Sequence, residues 1–129
     1  MQPRFCYNKR AQETLAAFVN GGRFPHALLL EGPEGSGRRT FAREIAAALF
    51  CRGEHKPCGS CSQCRKVLER NHPDVEYYGG DGSRRSFHID TIRQLRQNAW
   101  LLPGEAPCRV CVLCGAENMT DQAQNALLK

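Results

Sequence analysis

The glycine-rich stretch Gly32-Pro33-Glu34-Gly35-Ser36-Gly37 lies between a compact apolar run, His26–Glu31, and an amphipathic run, Thr40–Phe50. This juncture constrains the fold more than any other feature of the chain. The apolar run has no polar alternation, the pattern of a strand buried on both faces in a parallel sheet. Thr40–Phe50 carries Phe41, Ile45, Ala48 and Leu49 at helical spacing. Strand, glycine loop, helix is the order in which G-x-x-x-x-G reads as a phosphate-binding P-loop, where backbone N–H groups and a helix N-terminus cradle an anion. The expected class is α/β, with a parallel sheet flanked by helices.

On this reading the nucleotide-site positions are Gly32, Gly35, Ser36, Gly37, Arg38, Arg39 and Thr40. Turnover demands more than a cradle. The working motif continues with Lys, which reaches the terminal phosphates, and then Ser or Thr, whose hydroxyl holds Mg²⁺. Arg38 keeps the positive charge on a larger planar fork, and Arg39 cannot ligate a metal. Thr40 comes one residue late, which on a helix turns its side chain by ~100° away from the metal position. A second check comes from Arg109–Leu113, an apolar run of the kind that ends with an Asp and often a Glu in P-loop ATPases. Here Cys114-Gly115 follows, and neither can serve a hard cation or act as a general base; Glu117 is displaced past the strand end. Losing a general base alone costs about 10²–10⁴ in rate. No Mg²⁺ and no hydrolysis are expected, with two readings open for the loop: an idle ATP or ADP cradle, or a tight turn that keeps only the shape.

Four sulfurs fall within one short segment: Cys51, Cys58, Cys61 and Cys64. Their spacing suits a closed tetrahedral Zn²⁺ site, which is structural because it leaves no open position for substrate. Pro57 and Gly59 favour the tight turns such a site needs, and His55 is a possible substitute ligand. An overlapping Cys-x-x-Cys-x-x-Cys with a fourth partner is poor redox design. The later trio Cys108, Cys111 and Cys114 has the same spacing but lies on a predicted strand, where residues three apart point to opposite faces. These three, and Cys6, are read as small buried residues.

Elsewhere, Lys9–Asn20 is an expected helix with Ala11, Leu15, Phe18 and Val19 on one face, stopped by Gly21-Gly22. Arg65–Arg70 reads as a helix, Asp74–Tyr78 as a strand, and Gly79–Ser83 as a loop. Asp90 or a neighbour caps a helix over Thr91–Ala99 that faces Ile92, Leu95 and Ala99 inward. After the turn Leu102–Pro107 comes the strand Arg109–Cys114, and Thr120 caps a helix still running at Lys129, which predicts a piece of a longer protein. Tyr77, Tyr78 and Trp100 are assigned to packing, and neither His26 nor His72 is given a catalytic task.

Composition excludes several classes. With 129 residues, 41% hydrophobic and 24% charged, the chain fits one module, 1–129, with 51–64 as a zinc-binding insertion, rather than a disordered polymer. The longest apolar stretches fall far short of the ~20 residues that cross a bilayer. No apolar signal segment follows Met1, so a cytoplasmic protein is expected. The net charge of +5 permits nucleic-acid contact, but four thiolates on one Zn²⁺ would reduce it to +3. Arg65, Lys66, Arg70, Arg84, Arg85, Arg93 and Arg96 are therefore read as solvated faces rather than a DNA surface.

Taken together, Pro25–Gly35, the four-cysteine insertion, His72-Pro73-Asp74, Ile89–Leu95 and Met119–Lys129 make the chain resemble the bacterial DNA polymerase III clamp-loader subunits, delta-prime more than gamma/tau. The resemblance covers nearly the whole chain and implies the AAA+ fold, in which a zinc module follows the P-loop helix. Gamma/tau subunits keep Gly-Lys-Thr and Asp-Glu where this chain has Gly37-Arg38-Arg39 and Cys114-Gly115. Delta-prime subunits commonly have degraded ATP sites. The resemblance thus implies a non-hydrolysing stator that works with gamma/tau and delta to load the sliding clamp onto primed DNA, with no membrane partner. It also implies a trans arginine in a Ser-Arg-Cys motif beyond Lys129, and a further strand between His26–Glu31 and Arg109–Cys114, so that the sheet is incomplete here. The alternative is an active ATPase of the gamma/tau type.

Overall fold

A computed structural model describes residues 8–79 and 89–128. In chain order the elements are α1 (Lys9–Gly21), α2 (Arg38–Phe50), α3 (Ser62–Leu68), β1 (Val75–Gly79), α4 (Ile89–Ala99), β2 (Val110–Cys114) and α5 (Asp121–Leu128), with a 3₁₀ turn at Ala116–Asn118. The chain divides into two compact units, one ending at His72 and one starting at Pro73. Among the described residues, no helix is long and apolar enough to cross a membrane. Cys6, Arg84 and Arg85 lie outside the described residues, as does most of the loop expected over Gly79–Ser83.

In the first unit, Asn8 caps α1 by accepting the Ala11 N–H at 3.0 Å, and Gly22 ends it in the left-handed conformation at φ 66°. The expected face is the packed one: Leu15 meets Phe41 and Ala48 of α2, with Ala11, Val19, Phe24, Leu30 and Ile45 around them. Phe18 instead sets its ring against Phe24 at 6.1 Å. α2 buries more than one stripe, including Ala46, Ala47 and Phe50. Its small residues let a second helix, α3, approach.

The strand expected at His26–Glu31 does not form. Residues 27–33 are in neither helix nor strand, Leu28 is 44% and Leu29 75% exposed, and only Leu30 joins the apolar cluster. The physical reason is pairing. An apolar run becomes a strand only with a neighbour to take its N–H and C=O groups, and the one ladder among the described residues joins β1 to β2.

α3 ends in a Schellman motif: the Arg70 N–H reaches the Val67 carbonyl at 3.1 Å and the Asn71 N–H the Lys66 carbonyl at 2.9 Å. Arg70 holds φ 62°, the left-handed conformation that glycine adopts without steric penalty. Arg70→Gly is therefore expected to stabilise the protein by about 0.5–1 kcal/mol, the relief of a Cβ clash less the extra entropy glycine gains unfolded. A urea midpoint unchanged or lowered would contradict this.

In the second unit β1 and β2 pair in parallel, with Val75 opposite Val110 and Gly79 opposite Cys114. Tyr78 packs with Ile92 and Leu95 of α4 and Ala123 of α5, and Cys111, Leu113, Met119 and Ala126 complete the cluster. Thr120 caps α5 as expected, its hydroxyl accepting the Ala123 N–H at 3.1 Å. Three packing expectations need correction. Ala99 is exposed, because it ends α4 beyond the packed stretch. Trp100 is 88% exposed: the chain leaves α4 through a tight turn, Leu101 N–H to Asn98 carbonyl at 3.0 Å, that carries the indole off the core. Cys108, Cys111 and Cys114 are free and half-buried rather than buried: Cys108 precedes β2, and a two-stranded sheet does not cover Cys111 and Cys114 completely. Burial still pushes the Cys108 and Cys111 thiols up.

Candidate metal centre and glycine loop

Cys51 caps the C-terminal end of α2 and Cys61 the N-terminal end of α3, so two helices fix the ends of the insertion. Cys58 sits in the intervening loop, which bends at Gly59 with φ 74°. Gly53 makes a close approach: a Cβ there would lie 3.0 Å from the Cys58 Cβ and 3.3 Å from its Sγ. The four sulfurs of Cys51, Cys58, Cys61 and Cys64 lie within 4.8 Å of one another. His55 is exposed and outside the group.

Backbone N–H groups point at the sulfurs. Cys51 Sγ accepts from Gly53 and Cys58, each at 3.3 Å, Cys58 Sγ from Cys61 at 3.3 Å, and Cys61 Sγ from Cys64 at 3.4 Å. Such donors favour thiolate, and so does the N-terminus of α3 beneath Cys61. The backbone and hydroxyl of Ser60, together with the Cys61 N–H, hold the Cys58 thiol down to about 5. For Cys61, burial raises the thiol, but hydrogen bonds from the backbone of Arg52 and Cys64 outweigh it and the net shift is downward. Burial drives Cys64 the other way, well above the usual thiol range.

Zn–S bonds of ≈ 2.3 Å in a tetrahedron place sulfurs about 3.8 Å apart. The Cys58 and Cys64 sulfurs stand 4.0 Å apart, and all four cysteines are free. Four soft donors without a disulfide, at nearly this spacing, could hold a metal such as zinc. Among the described residues this is the only cluster of its kind, so the Cys108, Cys111, Cys114 trio does not converge: Cys111 and Cys114 lie three apart on β2, and Cys108 precedes it.

The glycine loop folds as a turn before α2. The Ser36 N–H donates to the Pro33 carbonyl at 3.1 Å, Gly35 and Gly37 have φ 81° and 83°, and Gly37 caps α2. A Cβ at Gly32 would stand 2.7 Å from Ser36 Oγ, so the two ends of the turn close on each other. Ser36 Oγ is buried without a hydrogen-bond partner. Arg38 and Thr40 are half-buried and Arg39 is exposed in the first turn of α2. β2 ends at Cys114-Gly115, and Glu117 lies past it in the 3₁₀ turn. Arg65, Arg70 and Arg93 are exposed, and Arg93 stands 3.6 Å from Asp90 on its own helix.

The sequence held no sign of the partners of one polar residue. Asp74 is 1% exposed, and its carboxylate accepts the N–H groups of Gly104, Glu105 and Ala106 at 2.6, 2.9 and 2.8 Å. Arg109 stands 4.0 Å away and pairs with Glu76, which in turn accepts from the Tyr78 hydroxyl. An Asp after a proline gives no hint of partners thirty residues on.

The family model described as DNA polymerase III, delta subunit, matches residues 7–129. DNA polymerase III subunit delta-prime of Yersinia pestis is 36% identical over 110 residues, covering 84% of this chain and 32% of that protein. The delta-prime subunit of Bacillus subtilis (strain 168) is 31% identical over 122 residues, covering 93% of this chain and 36% of that protein. DNA polymerase III subunit gamma/tau of Mycobacterium tuberculosis (strain ATCC 25618 / H37Rv) is 31% identical over 117 residues, 89% of this chain and 20% of that protein. The chain thus spans about a third of the length of the delta-prime relatives. With its four-cysteine cluster, its glycine turn ahead of α2 and a family match running from residue 7 to residue 129, the chain belongs to the DNA polymerase III delta-subunit family.

Proposed function

We propose that this chain carries the glycine loop and zinc module of a delta-prime-like clamp-loader subunit that does not hydrolyse ATP. The observation that carries the reading is the glycine turn of a family member in which Arg38 and Arg39 stand where turnover needs Lys and Ser or Thr. Gly32, Gly35, Ser36, Gly37, Arg38, Arg39 and Thr40 form a degenerate P-loop of an AAA+ domain. Cys51, Cys58, Cys61 and Cys64 hold Zn²⁺, which when bound supplies a structural cross-link and no chemistry. The subunit acts in the cytoplasm by contact with gamma/tau and delta subunits, and through them serves the sliding clamp on primed DNA.

The test uses the full-length protein, with metal content by elemental analysis and ATP turnover on one sample. One zinc per chain and turnover indistinguishable from a blank are expected, together with loss of clamp loading when the protein is omitted from a reconstituted loader. Steady turnover that disappears in Arg38→Ala would overturn this reading in favour of a gamma/tau-type ATPase.

A further inference from the structure

The first unit buries two polar side chains that are not metal ligands, Gln63 at 4% exposure and His72 at 5%. Gln63 lies between Cys61 and Cys64 in the first turn of α3. His72 lies nine residues on, and the Schellman motif explains how it returns: the left-handed Arg70 reverses the chain, and His72 comes back along the helix to its beginning. There its Nε2 and Gln63 Oε1 are 2.6 Å apart. Because an amide oxygen can only accept, the pairing puts the imidazole proton on Nε2. The other side of the ring packs on Phe50, with centroids 4.9 Å apart, and Phe50 immediately precedes Cys51. One buried imidazole therefore touches the residue before the first cysteine of the cluster and the residue before its last.

We propose that His72 and Gln63 form a buried clasp that holds the α2 and α3 halves of the cysteine cluster at ligand spacing, with His72 as a positioning residue for metal retention. The inference rests on reading the cluster as a metal centre. Cutting the hydrogen bond leaves a buried amide oxygen without its donor in the turn that carries two ligands, and that turn then shifts to find another. Partners behind the ligands typically change metal affinity by about 10–100-fold.

The experiment measures zinc transfer from the purified full-length protein to a chromogenic chelator, and the absorption of the Co²⁺-substituted form. The proteins compared are wild type, His72→Phe, Gln63→Leu, the double variant, and Leu15→Ala as a core substitution away from the clasp. Each single clasp variant is expected to weaken zinc retention by about 10-fold or more. The double should match the weaker single, since the two residues act as one unit, the Co²⁺ bands of His72→Phe should shift, and Leu15→Ala should leave retention unchanged. Single variants that retain zinc as wild type does, singles whose effects multiply in the double, or equal loss in Leu15→Ala would each overturn the clasp. If His72→Phe does not fold, Gln63→Leu decides on the same comparison with wild type and Leu15→Ala. Wild-type protein that holds no zinc at all would instead fail the metal reading beneath it.

Discussion

Cys64→Ala is expected to release zinc during gel filtration and to unfold the segment from Cys51 through α3. Cys64 is fully buried, its sulfur lies 3.6 Å from the Ala47 carbonyl of α2, and its thiol is the one that burial holds protonated. A bound divalent ion would supply the charge that this buried sulfur needs to be a thiolate. Closed sites of this kind have apparent zinc-binding free energies of about 10–16 kcal/mol in zinc-finger peptides, more than many whole domains have in folding stability. The insertion has little else to hold it, since 52–60 forms no helix or strand. The cluster of Leu15, Phe41 and Ala48 is separate and should survive. A chelator should reproduce the effect in wild-type protein, seen as new protease cuts within 52–60 and loss of amide protection in α3. Protection and cleavage unchanged after complete metal removal would show that the cysteines are not structural ligands.

The second large effect belongs to Asp74. Asp74→Ala leaves three backbone N–H donors without their acceptor and removes the buried carboxylate facing Arg109. Removing one partner from a buried charged network costs about 3–5 kcal/mol. Asp74→Asn keeps one acceptor oxygen, but presents an amide NH₂ to donors and lowers the charge, so about 1–3 kcal/mol is expected. Urea unfolding followed by far-ultraviolet circular dichroism reads both. A loss below about 1 kcal/mol for Asp74→Ala would mean that the 104–106 turn finds its hydrogen bonds elsewhere.

These two sites mark where sequence reading succeeds and where it stops. The cysteine cluster was legible because metal chemistry fixes residue type and spacing within a few residues of chain. Helices α1, α2, α4 and α5 were legible for the same local reason, since a 3.6-residue period, a Thr120 cap and a Gly21-Gly22 stop all act within one or two turns. His26–Glu31 has the composition of a strand, but a strand is a property of two segments, and this one has no partner among the described residues. Trp100 has the composition of a core residue, but a single turn decides which way it faces.

An α/β chain with a glycine turn ahead of a helix and four converging cysteines could be read from the sequence, because each of these depends on residues close together along the chain. Only the tertiary structure decided that Asp74 gathers the 104–106 turn and that His72 returns to Gln63 and Phe50. A hydrogen bond between residues nine or thirty positions apart leaves no periodicity and no composition signal. It exists because folding closes the loop between them and removes the water that would otherwise satisfy both groups.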